Sequence, residues 1–295
     1  MTPTDPRAPR RVPESRFDPT GIDDGQGGIA LAPRRPALRA TVWIAIVTVA
    51  IAVGALAWRT LERQGVERAY ADGVKALANG RTDDARLAFD RVIARRPDWA
   101  HAWRQRGYAA ATADAAVADF SHAIALDPND AEAYAARGRA WLRGRDPSRG
   151  ARDLATALAL ASSTGVDPAT VVAWRADRGA ALDESGDPTA AAAEWKAVAD
   201  ARGRGEDHRR VAVALASARD WAGARAAQDR AIAAGAEPAW YGERALIAMR
   251  LGDDEAAGLD LVRCAQLDAT CAAAFGVRAG ELARELGRPP PVGAR

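Results

Sequence analysis

The sequence predicts an all-α protein in which one membrane-spanning helix precedes an array of paired helices. Hydrophobic residues make up 48% of the 295 residues but aromatic residues only 6%, because alanine, which favours helices, supplies most of the apolar count. Runs of β-branched and aromatic residues, which indicate strands, are missing outside one apolar segment. From residue 66 onward, small and large apolar residues recur at a spacing close to 34 residues.

The apolar segment predicts a transmembrane helix over residues 40–58. These nineteen residues contain no charged residue and no proline, and Arg39 and Arg59 bracket them. About 20 apolar residues are enough to cross the hydrocarbon core of a bilayer as a helix. Trp43 and Trp58 lie near the two ends, where indole rings prefer the headgroup region.

The arginines that flank this segment predict its orientation. Three of them precede it with no acidic residue nearby: Arg34, Arg35 and Arg39. Because positive charge stays on the cytoplasmic side, we expect an inner-membrane protein with a cytoplasmic N-terminus and a periplasmic C-terminal domain. A cleavable signal peptide is the alternative, since Ala55-Leu56-Ala57 fits a cleavage site. The long preceding stretch and the length of the apolar run favour an uncleaved anchor, and both interpretations put the C-terminal domain in the same compartment.

The two ends of the chain have compositions that oppose folding. Residues 1–39 contain seven prolines and few large apolar side chains, which predicts a disordered cytoplasmic tail. Residues 287–295 include three consecutive prolines and are predicted to be disordered as well. The net charge of the whole chain is only +2, so no basic face for nucleic acid is indicated.

Two stretches share a small residue, an aromatic residue, a second small residue and a proline at the same offsets. They are Ala85, Phe89, Val92 and Pro97, followed by Ala116, Phe120, Ala123 and Pro128. An aromatic residue four positions before a glycine also recurs, at Trp103 and Gly107 and again at Tyr134 and Gly138.

These motifs resemble the tetratricopeptide repeat (TPR) family, whose 34-residue units are helical hairpins. The resemblance implies a right-handed α-solenoid over residues 66–286, with about six hairpins and a final capping helix at 272–286. Small residues at repeat positions 8 and 20 let the helices approach closely, and a bulky residue at position 24 fills the gap to the next unit. The predicted units span residues 66–99, 100–130, 131–164, 172–204, 205–237 and 238–271.

The sequence contains no motif that indicates catalysis, a cofactor or a metal. His101, His122 and His208 are scattered and lie in no metal-binding spacing. Glycine-rich phosphate loops and Gly-x-Ser-x-Gly elbows are absent from the sequence. The carboxylate pair Asp253-Asp254 is interpreted as a helix cap in a turn. We therefore expect a binding protein and not an enzyme.

The resemblance implies that positions on the first helix of each unit hold extended peptides on the inner face of the solenoid. The mapped candidates for partner binding are Arg104, Tyr108, Arg139, Arg143 and Arg209. Arginine side chains suit carboxylates and backbone carbonyls of a partner, and a tyrosine ring can stack on it. The alternative is that these are ordinary solvated side chains. Arg-Gly doublets at Arg106, Arg137 and Arg178 are interpreted as part of the repeat signature.

Cys264 and Cys271 lie seven residues apart across a predicted helix–helix turn, where their Cα atoms can reach bonding distance. An oxidising compartment would close this disulfide, and two buried free thiols are the alternative.

The sequence as a whole predicts a membrane-anchored protein-binding scaffold or chaperone-like adaptor of the cell envelope. A structural subunit of an envelope secretion or polysaccharide-export machine is the second interpretation. A receptor that faces the cytoplasm is the third, and it requires the inverted orientation.

Overall fold

The computed structural model describes residues 36–294, and these form thirteen α-helices with no strand among them. Of the predicted disordered segment 1–39, residues 1–35 lie outside the described residues, and the last four belong to the first helix. The helices are α1 (Pro36–Ala78), α2 (Thr82–Arg95), α3 (Ala100–Tyr108), α4 (Ala113–Leu126), α5 (Ala131–Arg143), α6 (Pro147–Thr164), α7 (Pro168–Ser185), α8 (Pro188–Arg202), α9 (Gly205–Ser217), α10 (Trp221–Ala234), α11 (Pro238–Leu251), α12 (Asp254–Leu267) and α13 (Ala269–Glu285).

Helix α1 is 43 residues long and includes the whole predicted membrane segment. Every side chain from residue 41 to residue 64 is exposed, although most of them up to Trp58 are apolar. One helix in the described part of the chain, residues 41–78, is long and apolar enough to cross a membrane. The chain divides within α1, between Arg59 and Thr60, into two compact units.

The second unit contains the predicted six helical hairpins. Residues 60–78 of α1 pack against α2, where Ala76 clusters with Ala85 and Phe89, and the following helices pair in order up to α11 with α12. Helix α13 packs against both α11 and α12, so it is the predicted capping helix, and it begins three residues earlier than expected. The all-helical solenoid class predicted from the sequence is therefore confirmed.

Aspartates begin most of the helices of the array. The side chain of Asp187 accepts a hydrogen bond from the backbone N–H of Ala190, and Pro188 occupies the first turn of α8. Asp253 caps α12 in the same way, as its interpretation as a cap expects. Gly186 ends α7 with a φ of 83°, a left-handed conformation that glycine adopts without strain. Short polar turns of this kind leave neighbouring helices antiparallel.

Close contact between a glycine and a bulky side chain holds the two helices of a hairpin together. A Cβ atom added at Gly107 of α3 would lie 2.6 Å from the ring of Phe120 on α4. Gly73 faces Phe89, Gly138 faces Leu154 and Gly179 faces Trp195 in the same way. Phe120 also clusters with Ala136 and Ala140 of the next unit, which is the gap-filling role predicted for this position.

The C-terminal tail departs from the sequence expectation, because residues 287–294 lie against α12 and α13. Arg288 donates to a carboxylate oxygen of Asp254 at 3.4 Å and to the carbonyl oxygen of Met249. The missing side chain of Gly258 lets the backbone of Val292 approach α12. The prolines do exclude a helix here, but a non-helical segment can still pack against the surface of α12.

Replacing Gly107 by alanine tests the close contact. We expect Gly107→Ala to destabilise the array by about 1–3 kcal/mol, because Phe120 is fully buried and cannot move aside freely. Gly280→Ala is the matched control, since a Cβ on this helical glycine meets nothing within 4 Å. The control should gain about 0.5–1 kcal/mol from helix propensity. Urea unfolding of the full chain in detergent micelles, followed by circular dichroism, measures both, and equal effects would contradict the packing account.

Candidate functional site

The Arg-Gly doublets form an internal ladder of ion pairs along the array. Arg137 donates to both carboxylate oxygens of Asp153, at 2.7 and 2.9 Å, and to Ser121 of the preceding unit at 3.1 Å. Arg106 likewise joins Asp119 of its own unit to Asp90 of the unit before. Hydrogen bonds to these acids raise the pKa of both arginines. Arg106 and Arg137 therefore join one unit to the one before it, whereas Arg178 of the third doublet bonds Glu194 within its own unit.

Two of the predicted partner-binding residues lie on α3. Arg104 is only 9% exposed, and its Nη1 lies 2.8 Å from Asp130 and 2.6 Å from Glu132 on the next unit. Tyr108 is 42% exposed and meets the ring of Phe120 edge-on, with ring centroids 5.2 Å apart. Burial raises the pKa of Tyr108, so its phenol is neutral near pH 7 and can donate a hydrogen bond. Arg104 thus links units, whereas Tyr108 is partly exposed and is in no ion pair with a described residue.

The other three predicted residues differ in the same way. Arg139 lies 2.5 Å from Asp177 of the next unit, and Arg209 bonds Glu243 of the next unit through two nitrogens, at 2.8 and 2.6 Å. Arg143 is exposed and forms no ion pair with another residue of the described chain. Their role in binding a partner remains a proposal, and the structure adds an inter-unit role for Arg139 and Arg209 that the sequence did not indicate.

A polar cavity of about 250 Å³ lies beside Arg104, between the second and third units. Its lining includes His101, Glu132 and Thr164. Arg104 Nε and Asp130 Oδ2 are buried there without a hydrogen-bond partner among the described residues. Arg104 and Asp130, which both line the cavity, thus each keep one unpaired polar atom.

A larger cavity, of about 530 Å³, lies on the inner face of the last two units, and we call it the C-terminal groove. First helices α9 and α11 and the cap α13 provide its walls, while α10 provides Trp221 and Gln228. The lining is mostly apolar. It comprises Ala212, Val213, Ala216, Ser217, Trp221, Gln228, Glu243, Leu246, Ile247, Arg250, Arg278, Glu281, Leu282 and Glu285.

Charged residues rim the C-terminal groove. Arg250 donates to both carboxylate oxygens of Glu285, at 2.9 and 3.1 Å, and its guanidinium lies 5.5 Å from the ring centroid of Trp221. Glu243 is held by Arg209, and the hydrogen bond to Glu243 raises the pKa of that arginine. The apolar walls therefore lie between two ion pairs that are satisfied within the chain, while Arg278 and Glu281 also line the groove and form no ion pair with another described residue.

The sequence reasoning missed this groove, although one signal for it was present. Position 24 of the fifth unit, where the other units have a bulky apolar residue, is Gln228. That departure was the only sequence cue, and the positions chosen as candidates lay mostly on the second and third units.

The two cysteines lie on consecutive helices at the C-terminal end of the array. Cys264 of α12 and Cys271 of α13 are both buried, their Cα atoms are 5.7 Å apart, and their sulfur atoms are joined in a disulfide. The bond fixes the cap to the sixth unit, next to the C-terminal groove. Within residues 36–294 no group of three His, Cys, Asp or Glu side chains is arranged to hold a metal ion.

Solved structures share the architecture of the repeat array. "YrrB: a TPR protein with an unusual peptide-binding site" superposes with a TM-score of 0.53 at 14% identity, over 62% of this chain and 93% of that chain. The array has the tetratricopeptide-repeat fold. MamA superposes with a TM-score of 0.50 at 17% identity, over 57% of this chain and 91% of that chain. The Naa15/Naa10 complex bound to HypK-THB gives a TM-score of 0.54 at 12% identity, over 75% of this chain and 36% of that chain.

No protein-family model and no curated protein matches the chain. At these identities the likeness is one of fold. The tetratricopeptide resemblance predicted from the sequence is confirmed at that level.

Proposed function

We propose that this chain is a membrane-anchored, protein-binding scaffold or chaperone-like adaptor of the cell envelope. The observation that carries the proposal is the C-terminal groove, an apolar slot of about 530 Å³ on the inner face of a tetratricopeptide-repeat array. YrrB, which shares this fold, is described as having a peptide-binding site. The proposal assigns the binding of protein segments to the chain and no chemical reaction.

The physical character of the C-terminal groove supports a peptide ligand. Apolar walls with a few placed polar groups are typical of preformed binding sites, and Val213, Leu246 and Ile247 supply such walls here. Val213 is 47% exposed, so an incoming apolar side chain can cover surface that water now contacts. In each ion pair at the rim the two charges satisfy each other, so an uncharged segment can enter without breaking the pair.

The proposed anchor is the N-terminal part of α1, with the N-terminus cytoplasmic and the array periplasmic at the inner membrane. Residues 41–58 expose apolar side chains that only a lipid or protein environment would cover. The long stretch before the apolar run and the length of that run support an uncleaved anchor over a signal peptide. Arginines before the apolar run support this orientation.

Site-specific crosslinking tests the binding proposal. A benzoylphenylalanine at Val213 should trap a defined set of protein segments in cells, because this side chain lies in the groove and is exposed. The same crosslinker at Leu87, an exposed apolar residue of α2, is the matched control outside the groove. Mass spectrometry of the crosslinked species identifies the partners.

A groove-filling variant completes that test. Ala216→Phe should lower crosslinking from Val213 about tenfold, equivalent to about 1.4 kcal/mol of binding free energy. Ala226→Phe makes the same change at an exposed alanine of α10 that lines no part of the groove, and it should leave the yield unchanged. Equal crosslinking from Val213 and Leu87, insensitive to Ala216→Phe, would refute the proposal.

Reporter fusions test the proposed topology. Alkaline phosphatase, which is active only outside the cytoplasm, should be active at the C-terminus and inactive when it is inserted between Arg39 and Ala40 of the otherwise full chain. The protein should also stay in the membrane pellet after carbonate extraction. The opposite phosphatase pattern would indicate the inverted orientation, and release of the array by carbonate would indicate that the apolar segment is cleaved.

A further inference from the structure

We propose that the C-terminal groove recognises its partner through an aromatic side chain that carries a hydrogen-bond donor, tryptophan or tyrosine, which donates to Oε1 of Gln228. This inference rests on the proposed peptide-binding function and specifies the chemistry of the bound segment. It is carried by a buried polar group that the repeat architecture does not require.

Gln228 interrupts an otherwise apolar row along the array. In the other five units, the equivalent position holds a buried apolar side chain: Phe89, Phe120, Leu154, Trp195 and Leu261. Gln228 is 0% exposed, like the most buried of these, and it is one of the residues that line the groove. Leucine fills this position in two units of the same chain, so packing alone does not call for a glutamine in the fifth.

Two acceptors fix the orientation of the Gln228 amide. Its Nε2 donates to the backbone carbonyl of Trp240 at 3.0 Å and to Oε2 of Glu243 at 3.1 Å. Turning the amide over would bring Oε1 against both of these oxygens, so the amide has only one favourable orientation. In that orientation Oε1 is buried and has no donor among the residues of the described chain.

A buried acceptor without a donor destabilises a fold, because the group has lost its water and gained nothing in exchange. Groups of this kind in a native structure call for a specific explanation, and a ligand that donates to them is one. The position of Gln228 among the lining residues of the C-terminal groove makes that explanation the direct one.

The surroundings of Gln228 define the donor. Ala212, Leu246, Ile247 and Leu282 make the walls apolar, which favours an aromatic ring over a charged side chain that would lose its water. Glu243 is already held by Arg209, so an additional cation gains little from it. A ligand carboxylate or carbonyl would meet the oxygens of Gln228 and Glu243 and be repelled.

Tryptophan and tyrosine combine the two required features. Each has a large ring that fills apolar space and a single polar N–H or O–H that seeks a partner when it is buried. The groove volume of about 530 Å³ accepts such a ring. Phenylalanine fits the same space but has no hydrogen-bond donor for Oε1 of Gln228.

A peptide selection tests the inference on the full chain in lipid nanodiscs, since detergent tails would compete for the groove. A displayed library of random peptides is selected against the wild-type chain and against Gln228→Leu, which introduces the residue found at this position in the third and sixth units. The wild type should enrich tryptophan or tyrosine at one anchor position. Gln228→Leu should enrich phenylalanine and leucine at that position at least as strongly as tryptophan and tyrosine.

A matched peptide pair then isolates the hydrogen bond. The best selected peptide is compared with one in which the anchor carries the same ring system without the donor: benzothienylalanine for tryptophan, or phenylalanine for tyrosine. The wild-type chain should bind the second peptide about tenfold more weakly, and Gln228→Leu should bind the two within about twofold of each other. Gln228→Met, which keeps the length of the side chain, should behave like Gln228→Leu and replaces it if that variant folds poorly.

The outcomes separate the two proposals. One outcome is that peptides bind the wild-type chain, lose binding in Ala216→Phe and yet show no preference for a hydrogen-bond donor at the anchor. That result overturns the inference about Gln228 and leaves the proposed function standing. The absence of any groove-directed peptide overturns the proposed function together with it. A donor preference that persists unchanged in Gln228→Leu also contradicts the inference, since another group would then accept the hydrogen bond.

Discussion

The array depends on the close approach of two antiparallel helices at one point in each hairpin, where a glycine or alanine meets a large buried side chain. In the first four units the small residue is glycine, and a Cβ there would lie within 3 Å of the facing side chain. In the sixth unit alanine at position 245 faces the smaller Leu261. This size matching sets the distance between helices. It also lets each bulky residue reach the next unit, so the units stack into one continuous core.

The fifth unit departs from this pattern, and the C-terminal groove lies at that unit. Its bulky position holds Gln228, whose amide nitrogen donates to residues of α11 and whose oxygen has no donor among the described residues. The neighbouring first helices α9 and α11 and the cap α13 surround an apolar space there. The Cys264–Cys271 disulfide fastens the cap to the unit beside it. A rigid cap holds one wall of the proposed binding site in place, which lowers the entropy lost when a segment binds.

The sequence predicted much of the fold because its signals are local and periodic. The glycine and aromatic positions, the aspartate caps and the proline turns each act within one hairpin, so the unit boundaries follow from the spacing. The partners of exposed-looking arginines could not be predicted, because the acids that hold Arg139 and Arg209 lie 38 and 34 residues away in the next unit. Gln228 was visible only as a departure from the pattern. The packing of residues 287–294 depends on the surface of α12, which cannot be predicted from the composition of the tail.

A double-mutant cycle at Gly73 and Phe89 tests the size-matching account most directly. Gly73→Ala and Phe89→Leu each disturb the contact, and together they create the alanine–leucine pair that already packs in the sixth unit. The free energy of unfolding is measured for the four chains by urea titration. The account predicts that the double variant loses at least about 1 kcal/mol less than the sum of the single losses. Strict additivity would contradict it, because the two residues would then not share one contact.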